Sequence, residues 1–291
     1  MLSKYYDLLN TSQEMEDENS ARWIVGEIKK LYPEALGRSI YPGGTLGIFF
    51  AINIGNRWRF VKTHRNNEMQ RQNLQKELDI MRKLYQGILD VDSFMLNVGE
   101  YQKLFVIMDF LQPVKGEKDI AFIQDMIIQY SANLSSVSYD TVNYNMNDFY
   151  KAAVQSYKVL TENNLLSGMN ATECETSFLR FSEYASFETI ICHGDLSNVN
   201  IMSDGANYFV IDWEDAMLGY QGYDLLYWLT FYSQRKYYDK QLLKKLNIDK
   251  QFGKDMMLMI ILIKSYLSFQ NKQYLKNKLS INDRISEIMQ L

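Results

Sequence analysis

The spacing of apolar residues changes character several times along this chain. In 20–32, SARWIVGEIKKLY, residues Trp23, Ile24, Ile28 and Leu31 recur at three- and four-residue steps behind Ser20, which predicts a capped amphipathic helix. The period then shortens. SIYPGG, TLGIFFAINIG and NRWRFVKTH are β-rich runs parted by Gly and Asn turns, the pattern of a strand meander. Helical spacing returns over 68–86, with Leu74, Leu78, Met81 and Leu84 on one stripe. Two more strands are predicted near 94–98 and 103–109, before Pro113 breaks the run.

From about residue 119 the pattern favours helices, interrupted only around 188–212. There ETIICH and NYFVID are strand-like, and MSDGAN between them carries a turn signal. The predicted class is α+β: an antiparallel sheet lobe with one helix, a short connector, and a larger, mostly helical lobe containing a small hairpin. The expected division is 1–112, with an N-terminal helical extension and the hinge, and 113–291. A small-molecule site belongs in the cleft between two such lobes.

Composition narrows the partners. Hydrophobic residues make up 47% of the 291 positions and charged residues 23%, values of an ordinary globular chain with enough length for a real core. With 31 basic against 35 acidic residues the net charge is −4, so there is no basic footprint for nucleic acid or an anionic membrane. The run MMLMIILI at 256–263 is far shorter than the roughly 20 residues a membrane span needs, and reads as a core helix. The start, MLSKYYDLLNTSQEMEDE, lacks an apolar signal region, and two cysteines, Cys174 and Cys192, cannot build a disulfide framework. The expectation is a cytoplasmic protein; oligomeric state has no signature in the chain.

The chemistry concentrates in 191–215, ICHGDLSNVNIMSDGANYFVIDWED. Asp195 and Asn200 are five positions apart (200 − 195), and Asp212 follows Asp195 by seventeen (212 − 195). A loop carrying the first two, followed by a hairpin ending in the third, brings three oxygen-bearing side chains to one point. Phosphoryl transfer needs such a set: a carboxylate to orient and deprotonate a hydroxyl, and oxygen ligands for Mg²⁺ beside phosphate oxygens.

HGDLSNVN followed by VIDWED resembles the aminoglycoside phosphotransferase and choline kinase superfamily, small-molecule kinases related to protein kinases. The match holds at His193, Asp195, Asn200, Ile211, Asp212, Trp213 and Glu214. The resemblance implies a two-lobed protein-kinase-like fold and an ATP-dependent transfer to a hydroxyl of a small molecule, with GTP the alternative donor. Asp195 would be the catalytic base, Asn200 and Asp212 the Mg²⁺ ligands, and His193 a brace for the loop. Glu214 and Asp215 would contact a cationic acceptor or serve as caps, and Asp224 would bond the loop's backbone or cap its own helix.

The resemblance extends to the nucleotide side. Gly43, Gly44 and Gly47 would let backbone amides approach phosphates, and Lys62 stands where the family's phosphate-binding lysine belongs. Glu77, fifteen positions on (77 − 62), is preferred over Glu68 as the partner of Lys62, because Glu68 falls in the first helical turn. The connector 106–113, with Met108 and Phe110, would offer its backbone to adenine, leaving Asp109 solvent-facing; His64 is read as exposed after its strand. Two departures separate the chain from protein kinases: Gly194, not Arg, follows His193, and no Ala-Pro-Glu segment occurs. Trp213 and Glu214 after Asp212 also favour the small-molecule branch, since protein kinases place Phe-Gly there. The rival reading is a non-catalytic nucleotide-binding pseudokinase. A hydrolase metal centre is disfavoured, because His193 has only one other histidine in the chain for company.

Overall fold

The structure is a computed structural model that describes residues 1–9, 26–34, 36–41, 47–65, 67–98, 101–135 and 137–291. Helix α1 (Leu2–Leu9) comes first, and the strand meander follows. Strands β1 (Leu36–Tyr41), β2 (Gly47–Ile54), β3 (Arg57–His64), β4 (Val91–Val98) and β5 (Tyr101–Asp109) form one antiparallel sheet in the order β1-β2-β3-β5-β4. The β2–β3 reversal falls on Gly55 and Asn56, both at positive φ, the backbone a two-residue hairpin requires.

Strand alternation gives the sheet two apolar faces. Phe50, Ile52, Val61, Phe105 and Ile107 lie on one, joined by Ile28 from a helical stretch at 26–31. Leu104 and Val106 lie on the other and meet Leu74 and Leu78 of α2 (Glu68–Leu84). The predicted stripe on α2 is buried throughout, and Asn67 caps the helix by accepting from the Met69 amide at 2.8 Å. Ser20, Trp23 and Ile24 lie outside the described residues. Leu31 is 49% exposed, because it ends the helical stretch ahead of Pro33.

One reading needs correction. His64 is buried, not exposed: its ring spans the end of β3, with Nδ1 2.6 Å from the Arg65 carbonyl and Nε2 accepting from the Leu104 amide at 3.1 Å. An imidazole can satisfy a strand end that has run out of ladder partners. Asp109 is also engaged, pairing with Arg57 at 2.9 Å and accepting from the Asp90 amide at 3.2 Å.

The second half is mostly helical: α3 (Ile120–Leu134), α4 (Met146–Glu162), α5 (Gly168–Arg180), α6 (Tyr223–Leu229), α7 (Leu242–Lys245), α8 (Lys250–Gln270) and α9 (Ile281–Met289). The apolar run 256–263 is buried throughout inside α8, at the centre of the largest core. Among the described residues no helix is long and apolar enough to cross a membrane. Two small sheets interrupt the helices. β6 (Gln112–Pro113), β8 (Ile201–Ser203) and β9 (Tyr208–Val210) form one, so the hairpin is β8–β9. β7 (Thr189–Cys192) pairs instead with β10 (Met217–Tyr220), because the loop 193–200 carries the chain away before β8 begins. α1 packs on α4 and α8, with the helical lobe rather than the sheet.

A buried carboxylate locks this lobe. Asp255, wholly buried on α8, accepts from Arg180 at 2.6 and 2.8 Å, from Ser177 at 2.8 Å and from Tyr184 at 2.5 Å. Replacing it strands those donors. Asp255→Ala is expected to lower unfolding stability by about 2–4 kcal/mol, read as a lower urea midpoint at unchanged m-value.

Candidate active site

The loop 193–200 is shaped by its own backbone needs. Gly194 has φ +83° and lies against the Asp215 carbonyl, where an added Cβ would come within 2.0 Å of the oxygen. Only glycine satisfies both the left-handed backbone and that approach. Asp224, in the first turn of α6, accepts from the amides of His193 at 2.8 Å and Gly194 at 3.0 Å, and from the Tyr130 hydroxyl at 2.6 Å. Of the two roles open to Asp224 in the sequence, the structure has the loop-binding one; the helix N-cap is Gly222.

His193 is buried against Trp213, ring centroids 4.7 Å apart. Its Nε2–H donates to the Ile211 carbonyl at 2.9 Å, and its Nδ1 accepts from the Asp195 amide at 3.2 Å. Burial lowers its pKa, so the ring is neutral with both nitrogens engaged, a bracket between the loop and the strand end. Asn200 closes the loop: its Nδ2 donates to the Asp195 carbonyl at 3.0 Å, and its own carbonyl accepts from Ile211 at 2.9 Å.

Asp212 takes a left-handed backbone, φ 68° and ψ 53°, just past β9. Its amide donates to Glu77 Oε1 at 3.2 Å. Lys62 joins the lobes here, with its Nζ 2.5 Å from Glu77 Oε2 and 2.8 Å from Asp212 Oδ1, and with Glu214 as a third ion-pair partner. The preference for Glu77 is met; Glu68 pairs with Arg71 in the first turn of α2. Glu77, Asp212 and Glu214 bring carboxylate oxygens within 4.8 Å of one another.

The charges follow from that crowding. Burial works against the Lys62 ammonium, but Asp212, Glu214 and Glu77 outweigh it and hold its pKa well above the usual value. Burial pushes Glu77 up to about 7, against the pull of Lys62. Burial also opposes ionisation of Asp212, yet Lys62 and Lys4 hold it at about 2. The Asp195 carboxyl is held well below the usual carboxylate range: burial opposes this, and Lys4 and Tyr227 prevail.

The structure therefore brings His193, Asp195, Asn200, Asp212, Lys62 and Glu77 into one neighbourhood between the sheet and the helical lobe. Gly43 and Gly44 lie outside the described residues, and Gly47 is the first residue of β2. Met108 is buried in β5, opposite Phe60 and Val91, and Phe110 follows the strand end. Sequence reasoning missed Tyr227, whose hydroxyl donates to Asp195 Oδ1, and Lys4, which donates to Asp195 Oδ2 at 2.7 Å. Tyr227 lies three positions beyond Asp224, one helical turn on the same face, and that spacing could have flagged it. Lys4 offers no such clue.

The fold is a kinase-like, two-lobed architecture. A sequence profile of the phosphotransferase enzyme family (APH) matches residues 153–248, the stretch holding Asp195, Asn200, Asp212 and Asp224. No curated relative matches the sequence at a significant level. Among solved structures, the aminoglycoside phosphotransferase APH(4)-Ia is similar over 92% of this chain and 97% of its own, at TM-score 0.64 and 14% identity. The choline kinase LicA from Streptococcus pneumoniae is similar over 94% and 98%, at TM-score 0.59 and 14% identity. The spectinomycin phosphotransferase APH(9)-Ia, solved with ADP and spectinomycin, is similar over 92% and 98%, at TM-score 0.58 and 12% identity. The profile match over part of the chain and the shared fold agree with the resemblance to the aminoglycoside phosphotransferase and choline kinase superfamily.

Asp224→Ala leaves three buried donors without an acceptor, each costing about 1–3 kcal/mol. A loss of about 3–5 kcal/mol in denaturant unfolding is expected; a loss under about 1 kcal/mol would show that the loop is held by other contacts.

Proposed function

We propose that this chain transfers the γ-phosphoryl group of ATP to a hydroxyl of a small molecule: an aminoglycoside, an amino alcohol such as choline, or a sugar-like metabolite. The observation that carries the reading is Lys62, a buried β3 lysine held at 2.5 Å by Glu77 of α2 and at 2.8 Å by Asp212 of the opposite lobe. An ammonium fixed between the lobes is positioned for phosphate oxygens. Gly43, Gly44 and Gly47 would bring backbone amides to the same phosphates, and the chain from Met108 to Phe110 would meet adenine.

The donor set fits a hard divalent cation. Three carboxylates crowd around one ammonium, leaving surplus negative charge, and Asp212 with the Asn200 amide oxygen supplies the oxygen ligands Mg²⁺ prefers. Bound by Asp212 and Asn200, Mg²⁺ would neutralise charge on the phosphate oxygens.

Asp195 acts as the base in this reading. Its carboxylate stays ionised at neutral pH, with one oxygen aimed by Tyr227. It orients the acceptor hydroxyl and takes its proton as the new O–P bond forms and the bond to the ADP oxygen breaks. His193 does not exchange protons, because both ring nitrogens are committed to the backbone. In a loose transition state the proton leaves late, so the base is worth less than the charge-neutralising groups.

Asp212→Ala is accordingly expected to abolish turnover, and Asp195→Asn to lower kcat by about 10²–10⁴-fold with nucleotide binding nearly unchanged. A coupled ADP-release assay with Mg²⁺ across aminoglycosides, choline, ethanolamine, sugars and nucleosides identifies the acceptor. An Asp212→Ala chain of near-wild-type rate would rule out the assignment. Tight ATP binding without acceptor-dependent release across the panel would point to the nucleotide-binding pseudokinase.

A further inference from the structure

Helix α1 contacts both Asp195 and Asp215. Both oxygens of the Asp195 carboxylate are engaged: Oδ1 by the buried Tyr227 hydroxyl, and Oδ2 by Lys4 Nζ at 2.7 Å. Beside it, Ser3 donates to Asp215 Oδ1 through its amide at 2.7 Å and its hydroxyl at 2.8 Å, and the Met1 nitrogen pairs with Asp215 Oδ2. A hydroxyl acceptor has to come within hydrogen-bond reach of Asp195. Oδ1 is turned towards α6, which leaves Oδ2, the oxygen that Lys4 holds. α1 also offers the two aspartates an ammonium and a hydroxyl, the pair of groups an amino alcohol carries.

The segment is seated by side chains as well as charge. Met1, Leu2 and Tyr5 are buried, Tyr5 meets Tyr266 of α8 at 5.3 Å between ring centroids, and Tyr6 stacks on Tyr144 at 5.5 Å. Lys4 differs: its side chain is 31% exposed, and Asp195 is its ion-pair partner.

We propose that α1 is an intramolecular occluder of the acceptor side of this site: Lys4 and Ser3 take the carboxylate oxygens an acceptor would use, and transfer requires α1 to withdraw. The proposal rests on the phosphotransferase reading above. It makes Lys4 an inhibitory group, whereas a lysine assisting the reaction would speed it.

The test compares the unaltered chain with Lys4→Met, and with Ser3→Ala as a second variant. ADP release from ATP and Mg²⁺ is measured without added acceptor, so that water serves as acceptor. Freeing Oδ2 is expected to raise this rate about tenfold in Lys4→Met, and loosening α1 from Asp215 to raise it by a smaller factor in Ser3→Ala, at unchanged KM for ATP. A rate equal to or below wild type in both variants, with ATP still bound, overturns the proposal. Amide hydrogen exchange over residues 2–9 on the same proteins separates the two levels of the argument. Occlusion by Lys4 requires faster exchange in Lys4→Met even if no protein turns over ATP, and unchanged exchange overturns it. Failure to bind ATP with Mg²⁺ would sink the phosphotransferase reading instead.

Discussion

One ammonium shared among three carboxylates governs this structure. Lys62 comes from β3, Glu77 from α2, and Asp212 and Glu214 from the turn after β9, so a single cluster ties the sheet to the helical lobe. Glu77 and Glu214 are both buried, with carboxylate oxygens within 4.8 Å of each other. At an effective dielectric near 20, two such charges repel by about 3 kcal/mol. Lys62 offsets part of this, while burial pushes the Glu77 carboxyl up to about 7 despite Lys62. In the proposed reaction the remaining negative charge meets magnesium, and the phosphates meet Lys62. A site assembled for stability alone would be better served by neutral packing.

The loop beside this cluster is held by its backbone more than by its side chains. Asp224 gathers the His193 and Gly194 amides, His193 links the Asp195 amide to the Ile211 carbonyl, and Gly194 lets the Asp215 carbonyl come close. Each contact fixes a main-chain atom, so the carboxylate of Asp195 is aimed by a frame that does not itself react. Tyr227 adds the last constraint by holding one of its two oxygens.

Much of this was legible in the sequence, and the unread parts share a cause. The β2–β3 hairpin, the α2 stripe and the core run in α8 follow from local periodicity, which short-range sterics and burial impose directly. The Lys62–Glu77 pair could be anticipated because a fifteen-residue separation spans one strand and the next helix. His64 was misread because its burial depends on Leu104, forty positions away (104 − 64) in a neighbouring strand. Lys4 meets Asp195 across 191 positions, a contact set by tertiary packing that no local pattern encodes. The pairing of β7 with β10, rather than with its near neighbours, belongs with these.

In the proposed reaction, helix α1 acts on the acceptor through Asp195, and the carboxylate cluster acts on the nucleotide through Lys62 and Asp212. The claim beneath both is that the crowded carboxylates exist to receive a metal-bound phosphate. Calorimetric titration of the chain with ATP, with and without Mg²⁺, tests this most directly. The account predicts that Mg²⁺ tightens ATP binding by at least about tenfold, or about 1.4 kcal/mol. Equal affinity in the presence of EDTA would contradict it.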